Sequence, residues 1–266
     1  MVALSKRCKK IEEDATVKKQ KIPAATIIRL SVYQRYLKRL LARGTKVVSS
    51  SELALRANVN PAQLRKDLSY FGRFGVRGLG YDVAFLMNSI SSILGVMEER
   101  PVVLVGTGPI GRALLRHRGF AQQGYRFTAV FDLDPNNIGR ELEDGLKVRS
   151  LDELPALTED GSIKLALLAV PSDKAQEVAD KLVESGIRGI LNFSPTRIKV
   201  PHGVSVQYVD FTILLDSLIY NISKTRREAE ESGAPEKKVS KLKWDREHSW
   251  PVVQSNSHGR GLSLTS

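Results

Sequence analysis

Side chains able to do chemistry gather in two stretches of this sequence. The first, PAQLRKDLSYF from Pro61, offers Gln63, Arg65, Lys66, Ser69 and Tyr70 around Leu64 and Leu68. In a helix the two leucines, four residues apart, face a core while the polar residues face outward. Gln and Arg can pair bidentately with base edges, whereas Lys, Ser and Tyr commonly hold phosphate oxygens. A short basic helix can equally be a solvated face. The continuation GRFGVRGLGY weighs toward nucleic acid. There Gly72, Gly75, Gly78 and Gly80 alternate with Arg73, Arg77 and apolar residues, which suits a tight β-hairpin wing carrying two arginines toward a backbone or minor groove.

The second stretch, PVVLVGTGPIGRALLRH, reads as a buried strand, a glycine loop and a helix. Gly106, Gly108 and Gly111 fit G-x-G-x-x-G in the strand–loop–helix context that the motif requires. The first glycine permits the sharp turn, the second lets backbone approach a pyrophosphate, and the third allows helix to pack on strand. Between them lie Thr107, Pro109 and Ile110; Pro109, near the first helical position, loses no needed hydrogen bond. Unpaired N–H groups at the helix start then face the phosphates. The next strand, FTAVFDLD, ends at Asp132, 21 residues past the last glycine. A carboxylate there takes the adenosine ribose hydroxyls and repels a 2′-phosphate, favouring NAD(H) over NADP(H). The competing reading of Asp132 is an ordinary turn residue before Pro135. Val170, Pro171, Asn192 and Phe193 fall at the carboxyl ends of two further strands, where such sheets bind ligands, although both places can be turns.

These residues need elements to hold them. Residues 1–21 read as a disordered basic arm. A first helix follows Pro23, with Ile27, Leu30, Leu37, Leu40 and Leu41 on its apolar face and Gly44 at its end. Ser50 or Ser51 caps a second helix with Leu53, Leu55 and Ala57 as core residues. After a turn at Asn58-Val59, Asn60 caps the third helix, with Pro61 at its first position and Gln63 at capping-box spacing. A longer helix, then two short ones around a tight turn, is the helix-turn-helix plan. Asp82 caps a further helix ending near Gly95, which places a winged-helix domain at 22–98. IKLALLAVP, SDKAQEVADKLVESG, GILNFSP and VSVQYVD continue the second domain, at 99–209, as a Rossmann-type, doubly wound parallel sheet. A terminal helix over 210–223 carries Leu214, Leu215, Leu218 and Ile219. Residues 224–266, with Trp244 and Trp250, read as a polar, disordered tail.

Charge supports this division. The 266-residue chain has a net charge of +12, and all of that excess lies in residues 1–82, leaving 83–266 neutral. A basic module joined to a neutral one fits phosphate neutralisation by one part only. A 42% apolar content supports packed cores. The single cysteine, Cys8, excludes an intrachain disulfide and a multi-cysteine zinc site, and points to a cytoplasmic home. No apolar run reaches the roughly 20 residues of a membrane span.

The rival is an NAD-dependent oxidoreductase with a basic N-terminal extension. Such an enzyme needs a proton donor or acceptor beside the nicotinamide. Only four histidines exist; His248 and His258 lie in the tail, His117 on the first helix of the second domain and His202 in a Pro-His-Gly turn. No substrate domain follows Asp210, and no His/Cys/carboxylate cluster suggests a metal. Binding without turnover is the better account.

From Pro23 to about Ser223 the sequence resembles the Rex family of bacterial redox-sensing repressors. The resemblance is carried by VNPAQLRKDLSYFGRFGVRGLGYDV, GTGPIGRALL, LNFSP and VPHGVSVQYVDF, in that order. It implies a homodimer with a winged helix, a Rossmann domain and a C-terminal helix swapped between subunits, bound to a palindromic double-stranded operator. It further implies that NADH weakens operator binding while NAD⁺ competes for the same site and permits repression. By position, Gly106 to Gly111 would cradle the pyrophosphate and Asp132 would hold the ribose. Asp210 and Phe211 would start the swapped helix, with Phe211 near the nicotinamide. Arg29, His117 and Asp210 would form an interdomain switch. His117 departs from the family's tyrosine, and a histidine there would make the switch pH-sensitive.

Overall fold

A computed structural model describes residues 22–76, 78–142 and 145–232. The basic arm, Arg77 and the tail beyond Ser232, including both tryptophans, lie outside the described residues. The chain divides into two compact units at the Met97–Glu98 junction, one residue from the boundary expected from sequence.

The N-terminal unit runs α1 (Ala24–Ala42), β1 (Val47–Val48), α2 (Ser50–Arg56), α3 (Pro61–Ser69), β2 (Gly75–Val76), β3 (Gly80–Asp82) and α4 (Val83–Ile93). Its core takes Leu30, Tyr33, Leu37 and Leu40 from α1, Leu53 and Ala54 from α2 with Ala57 just past its end, Leu64 and Leu68 from α3, and Val83, Leu86 and Ile90 from α4. The α1 stripe keeps Leu30, Leu37 and Leu40 of the expected face and is rotated from it by only about a third of one residue's 100°. Ile27 and Leu41 are exposed because Tyr33 completes the 30/33/37/40 face. Leu55 is likewise exposed, lying about 200° around α2 from Leu53. Ser49, rather than Ser50 or Ser51, caps α2 by accepting the Glu52 N–H. Asn58, at a φ of 53°, makes the tight turn before α3; Asn is among the few side chains that tolerate that region.

Antiparallel β2 and β3 form the wing, and β3 also pairs with β1, so the hairpin is rooted in the domain. Gly80 adopts a φ of 95°, and a Cβ there would come within 2.5 Å of the Val48 carbonyl. Asp82 ends β3 and caps α4, its carboxylate accepting the Phe85 N–H at 2.8 Å.

The second unit runs β4 (Arg100–Val105), α5 (Pro109–Arg116), α6 (Gly119–Gln122), β5 (Tyr125–Asp132), β6 (Val148–Ser150), α7 (Leu154–Thr158), β7 (Leu165–Leu168), α8 (Ala175–Glu184), β8 (Gly189–Asn192), β9 (Ser205–Tyr208) and α9 (Phe211–Ser232). All six strands are parallel, in the order β6-β5-β4-β7-β8-β9. Along β4, Val103 and Val105 pack into one layer and Val102 and Leu104 into the other, as a strand covered on both faces requires. The order reverses at β4, so the loops after β4 and β7 diverge there and open the crevice in which such sheets bind ligands.

Helix α9 corrects the expected boundary at 223. It continues through Ser232, because KTRREAEES is made largely of good helix formers and the first breaker is Gly233. Among the described residues no helix is long and apolar enough to cross a membrane.

The Asp82 cap generates a direct expectation. Asp82→Ala should destabilise the N-terminal unit by about 1 kcal/mol, read from denaturant unfolding of the isolated variant against the parent chain.

Candidate nucleic-acid interface and nucleotide cradle

Helix α3 begins at Asn60, whose side chain accepts the Gln63 N–H at 2.7 Å, with Pro61 at the first helical position. Leu64 and Leu68 turn inward while Arg65, Lys66 and Ser69 are exposed; Tyr70 is half-buried, and Arg73 stands exposed ahead of the wing. Together they make a cationic face on the helix and the adjoining segment. The Ser69 hydroxyl donates to the Lys66 carbonyl within its own helix. Gln63 differs from expectation. It does not return to the Asn60 backbone to close a capping box, nor does it stand free; its Nε2 donates to Asp67 Oδ1 at 2.8 Å.

Asp67 is the residue that sequence reasoning missed. Its side chain is 0% exposed and accepts from five donor atoms. Oδ1 takes Thr26 Oγ1 at 3.1 Å, Arg29 Nη2 at 2.7 Å and Gln63 Nε2 at 2.8 Å. Oδ2 takes Arg29 Nε at 2.6 Å and the Tyr33 hydroxyl at 2.8 Å. Burial by itself would raise the carboxyl's pKa, but the hydrogen bonds from Arg29, Tyr33 and Gln63 hold it below the usual aspartate value. The same burial, with the anion beside it, pushes the Tyr33 phenol up. The signal was present: Asp67 shares the 64/67/68 face with two leucines, where an unpaired carboxylate could not sit.

In the second unit the glycine loop is closed by contact. Gly106 has a φ of 102°, and a Cβ on it would lie 2.3 Å from the Ala169 carbonyl oxygen. On Gly111 a Cβ would lie 1.9 Å from the Gly106 carbonyl oxygen. Both glycines are therefore demanded by the protein's own packing. Gly108 caps α5 with an ordinary φ of −62°, and a Cβ there would meet nothing within 4 Å. Unlike the other two glycines of the motif, Gly108 is thus not required by any internal contact, and it leaves the start of α5 open. Pro109 and Ile110 form its exposed lip.

Asp132 ends β5 beside this loop. Its Oδ2 accepts the Thr107 N–H at 2.8 Å, the Thr107 hydroxyl and Asn137 Nδ2, while Oδ1 accepts the Asp134 N–H at 2.9 Å. Burial opposes ionisation here, but these bonds keep the carboxyl below its ordinary value. The carboxylate thus fastens the loop to β5, and Oδ1 carries the lighter load. Arg112 Nε donates to the Thr107 carbonyl and braces the loop from the helix side. Val170 is buried against Gly106 and Pro171 is exposed. Asn192 is fully buried, its amide donating to the Thr196 carbonyl and accepting the Ser194 N–H; Phe193 follows it, half-buried. The Ser194 hydroxyl donates to the Val170 carbonyl and joins the two loops. Asn192 therefore shapes this edge from within.

Asp210 accepts both the N–H and the hydroxyl of Thr212, and Phe211 opens α9 half-exposed. His117 ends α5 away from the glycine loop, edge-on to Phe120. Arg29 belongs to the N-terminal unit and His117 and Asp210 to the other. Among the described residues no three His, Cys, Asp or Glu side chains converge as a metal site.

Two family models match the chain, one described as a putative DNA-binding protein N-terminus over residues 21–69 and one as a CoA binding domain over 97–196. The chain is 49% identical over 76% of its length to the redox-sensing transcriptional repressor Rex of Syntrophobacter fumaroxidans, covering 97% of that protein. The chain belongs to the Rex family. The Rex of Streptomyces coelicolor is 44% identical over 80% of this chain and 81% of its own. The crystal structure of RSP, a Rex-family repressor in complex with NAD⁺ and operator DNA, matches 82% of this chain and all of its own at 32% identity and a TM-score of 0.72. RSP in complex with NADH matches at 31% identity, a TM-score of 0.68, and 80% and 99% of the two chains. The "CoA binding" match reflects the sheet and its glycine loop, which many nucleotide-binding proteins share.

Removing one partner of the Asp67 network strands the buried Arg29 charge, so Asp67→Ala should cost the N-terminal unit about 3–5 kcal/mol. The Asp67 carboxyl has a lowered folded-state pKa, so its stabilisation is present above the ordinary aspartate range. It is lost as pH falls through the lower folded value. The thermal midpoint of this unit should hold from pH 7 to about 5 and fall below about 4; an Asp67→Asn variant should lack that acid limb.

Proposed function

We infer that this protein is a DNA-binding transcriptional repressor that senses the NADH/NAD⁺ ratio, NADH weakening its hold on the operator. The observation that carries the reading is the pairing, in one Rex-family chain, of exposed cations on α3 and at Arg73 with a glycine loop whose middle glycine serves no internal packing need. The family's solved members include one with NAD⁺ and operator DNA and one with NADH.

In this reading Arg65 and Lys66 meet the major groove; Gln63, which the sequence pattern grouped with them, is bonded to Asp67. Ser69, Tyr70, Arg73 and Arg77 hold backbone or minor groove. The N–H groups at the start of α5 and the bare Cα of Gly108 take the pyrophosphate, with Thr107, Pro109 and Ile110 along its path. Asp132 Oδ1 has acceptor capacity for a ribose hydroxyl. Val170, Pro171 and Phe193 line the nicotinamide side, Asn192 shapes it, and Phe211 covers it. The bound dinucleotide supplies a redox-dependent fit and undergoes no turnover.

The partner DNA is palindromic and the protein acts as a homodimer in the cytoplasm. Supporting this, α9 exposes Leu214, Leu215, Leu218 and Ile219, all at 46% or more, a face that a second subunit would bury. Two reading helices then demand half-sites about one helical turn, or a multiple, apart. Arg29, His117 and Asp210 couple the units. Arg29 is already tied to the reading helix through Asp67, so a pull on its guanidinium would be felt by α3.

Titration of operator complexes with NADH, NAD⁺ and NADPH tests the function. NADH alone should weaken binding roughly 5- to 150-fold, the range of an ordinary allosteric coupling. Equal affinity with and without saturating NADH would overturn the reading. Arg65→Ala should depress operator binding far more than binding to random duplex, whereas Arg73→Ala should lower both. Gly108→Ala tests the cradle. It should leave thermal stability unchanged, read from a thermal unfolding scan, and weaken NADH about tenfold or more, read by isothermal titration calorimetry.

A further inference from the structure

The buried Asp67 stands apart from phosphate contact, base contact and nucleotide binding, yet its carboxylate accepts from five donor atoms. Its five donor atoms come from two helices. Thr26, Arg29 and Tyr33 lie along one face of α1, and Gln63 lies one turn earlier on α3 itself. A carboxylate offers about four lone-pair sites, so Asp67 has no capacity left for a cytosine amino group. Its charge is met by Arg29 in a side-on, two-bond pair, so it sets no net negative field against approaching phosphates.

Leu64 and Leu68 hold α3 to the core by non-directional contact, which tolerates small rotations of a helix about its axis. Hydrogen bonds do not, because they weaken steeply away from linearity. Arg65 lies about 200° around the helix from Asp67, so fixing Asp67 on α1 aims Arg65 outward. A rotation of about 20° at a side-chain radius near 6 Å moves a tip by about 2 Å, more than a bidentate base contact allows. Gln63 is drawn into the same lock, its amide nitrogen held at 2.8 Å from Asp67.

We propose that Asp67 is the positioning residue for sequence reading, locking the rotation of α3 against α1, and that Gln63 is a strut of this lock and does not read a base. The proposal rests on the DNA-binding function inferred above and assigns a role that no base or phosphate contact requires. Its effect falls on specificity. Random-duplex affinity depends on the count of cations near phosphate, which the lock leaves unchanged.

The test uses the full chain and a duplex selected by the wild-type protein from a randomised pool. Affinity for that duplex, for its single-base variants and for a scrambled duplex is measured at several salt concentrations, beside thermal unfolding and NADH binding. Tyr33→Phe, which removes one donor, should weaken the selected duplex about fivefold, a hydrogen bond's usual worth. Gln63→Ala should weaken all base variants in proportion, leaving their ranking intact. Asp67→Asn should weaken the selected duplex most. In all three the scrambled duplex, the salt slope and NADH binding should stay as in wild type.

A loss of discrimination at a single base pair in Gln63→Ala would make Gln63 a reader and overturn its part of the proposal. Folded Tyr33→Phe and Gln63→Ala proteins that bind the selected duplex like wild type would overturn the lock. So would a parallel loss on selected and scrambled duplexes. Should Asp67→Asn not fold, the two milder variants decide. Failure of the DNA-binding function would look different, since wild type itself would enrich no sequence from the pool.

Discussion

A carboxylate leaves water only where hydrogen bonds replace its lost hydration, and the N-terminal unit is organised around one such exchange. Asp67 is sealed between α1 and α3 with donors on both oxygens. Without them a charged residue on the 64/67/68 face would expel α3 from the core; with them the same charge ties the reading helix to the longest helix of its unit. Leu64 and Leu68 supply apolar burial, while the ionic contact adds directional bonds between α3 and α1. The exposed cations inherit their aim from that constraint.

The second unit solves a different problem by a similar division. Its nucleotide loop must lie so close to α5 and to the β7 loop that two glycines have no room for a Cβ. Gly111 nearly touches the Gly106 carbonyl, and Gly106 that of Ala169. Steric exclusion makes the loop tight, and Asp132 makes it stay, bridging Thr107 to the end of β5. Gly108 is left as the one glycine of the motif facing outward. The acidic residue that sequence pattern assigned to a ligand is seen here bracing the glycine loop. A carboxylate with several acceptor positions can serve both ends.

Family membership and physical reading meet in the separation of charge. All the excess cationic charge precedes residue 83, while the dinucleotide fold is neutral. A uniformly basic chain would bring phosphate attraction to the sheet crevice as well as to the DNA face. In the proposed function the crevice would rely on oriented backbone N–H groups, whose attraction for a dinucleotide is local and directional.

The sequence by itself determined the winged helix-turn-helix, the parallel sheet with its glycine loop, the caps at Asn60 and Asp82 and the turn at Asn58. These follow from local rules: apolar period, capping side chains and residues that tolerate positive φ. It also placed Leu64 and Leu68 inward and Arg65 and Lys66 outward. Only the tertiary structure decided that Ile27, Leu41 and Leu55 stay exposed and that Gln63 turns to Asp67. Each of these depends on which surface another segment presents. A pattern along one strand or helix gives the period of burial, whereas the phase, and the fate of each polar group near the boundary, is set by partners distant in the chain. Asp67 shows this most clearly: the 64/67/68 face marks it as an inward carboxylate, but three of its four partner residues lie 34 to 41 positions away, and no local rule names them.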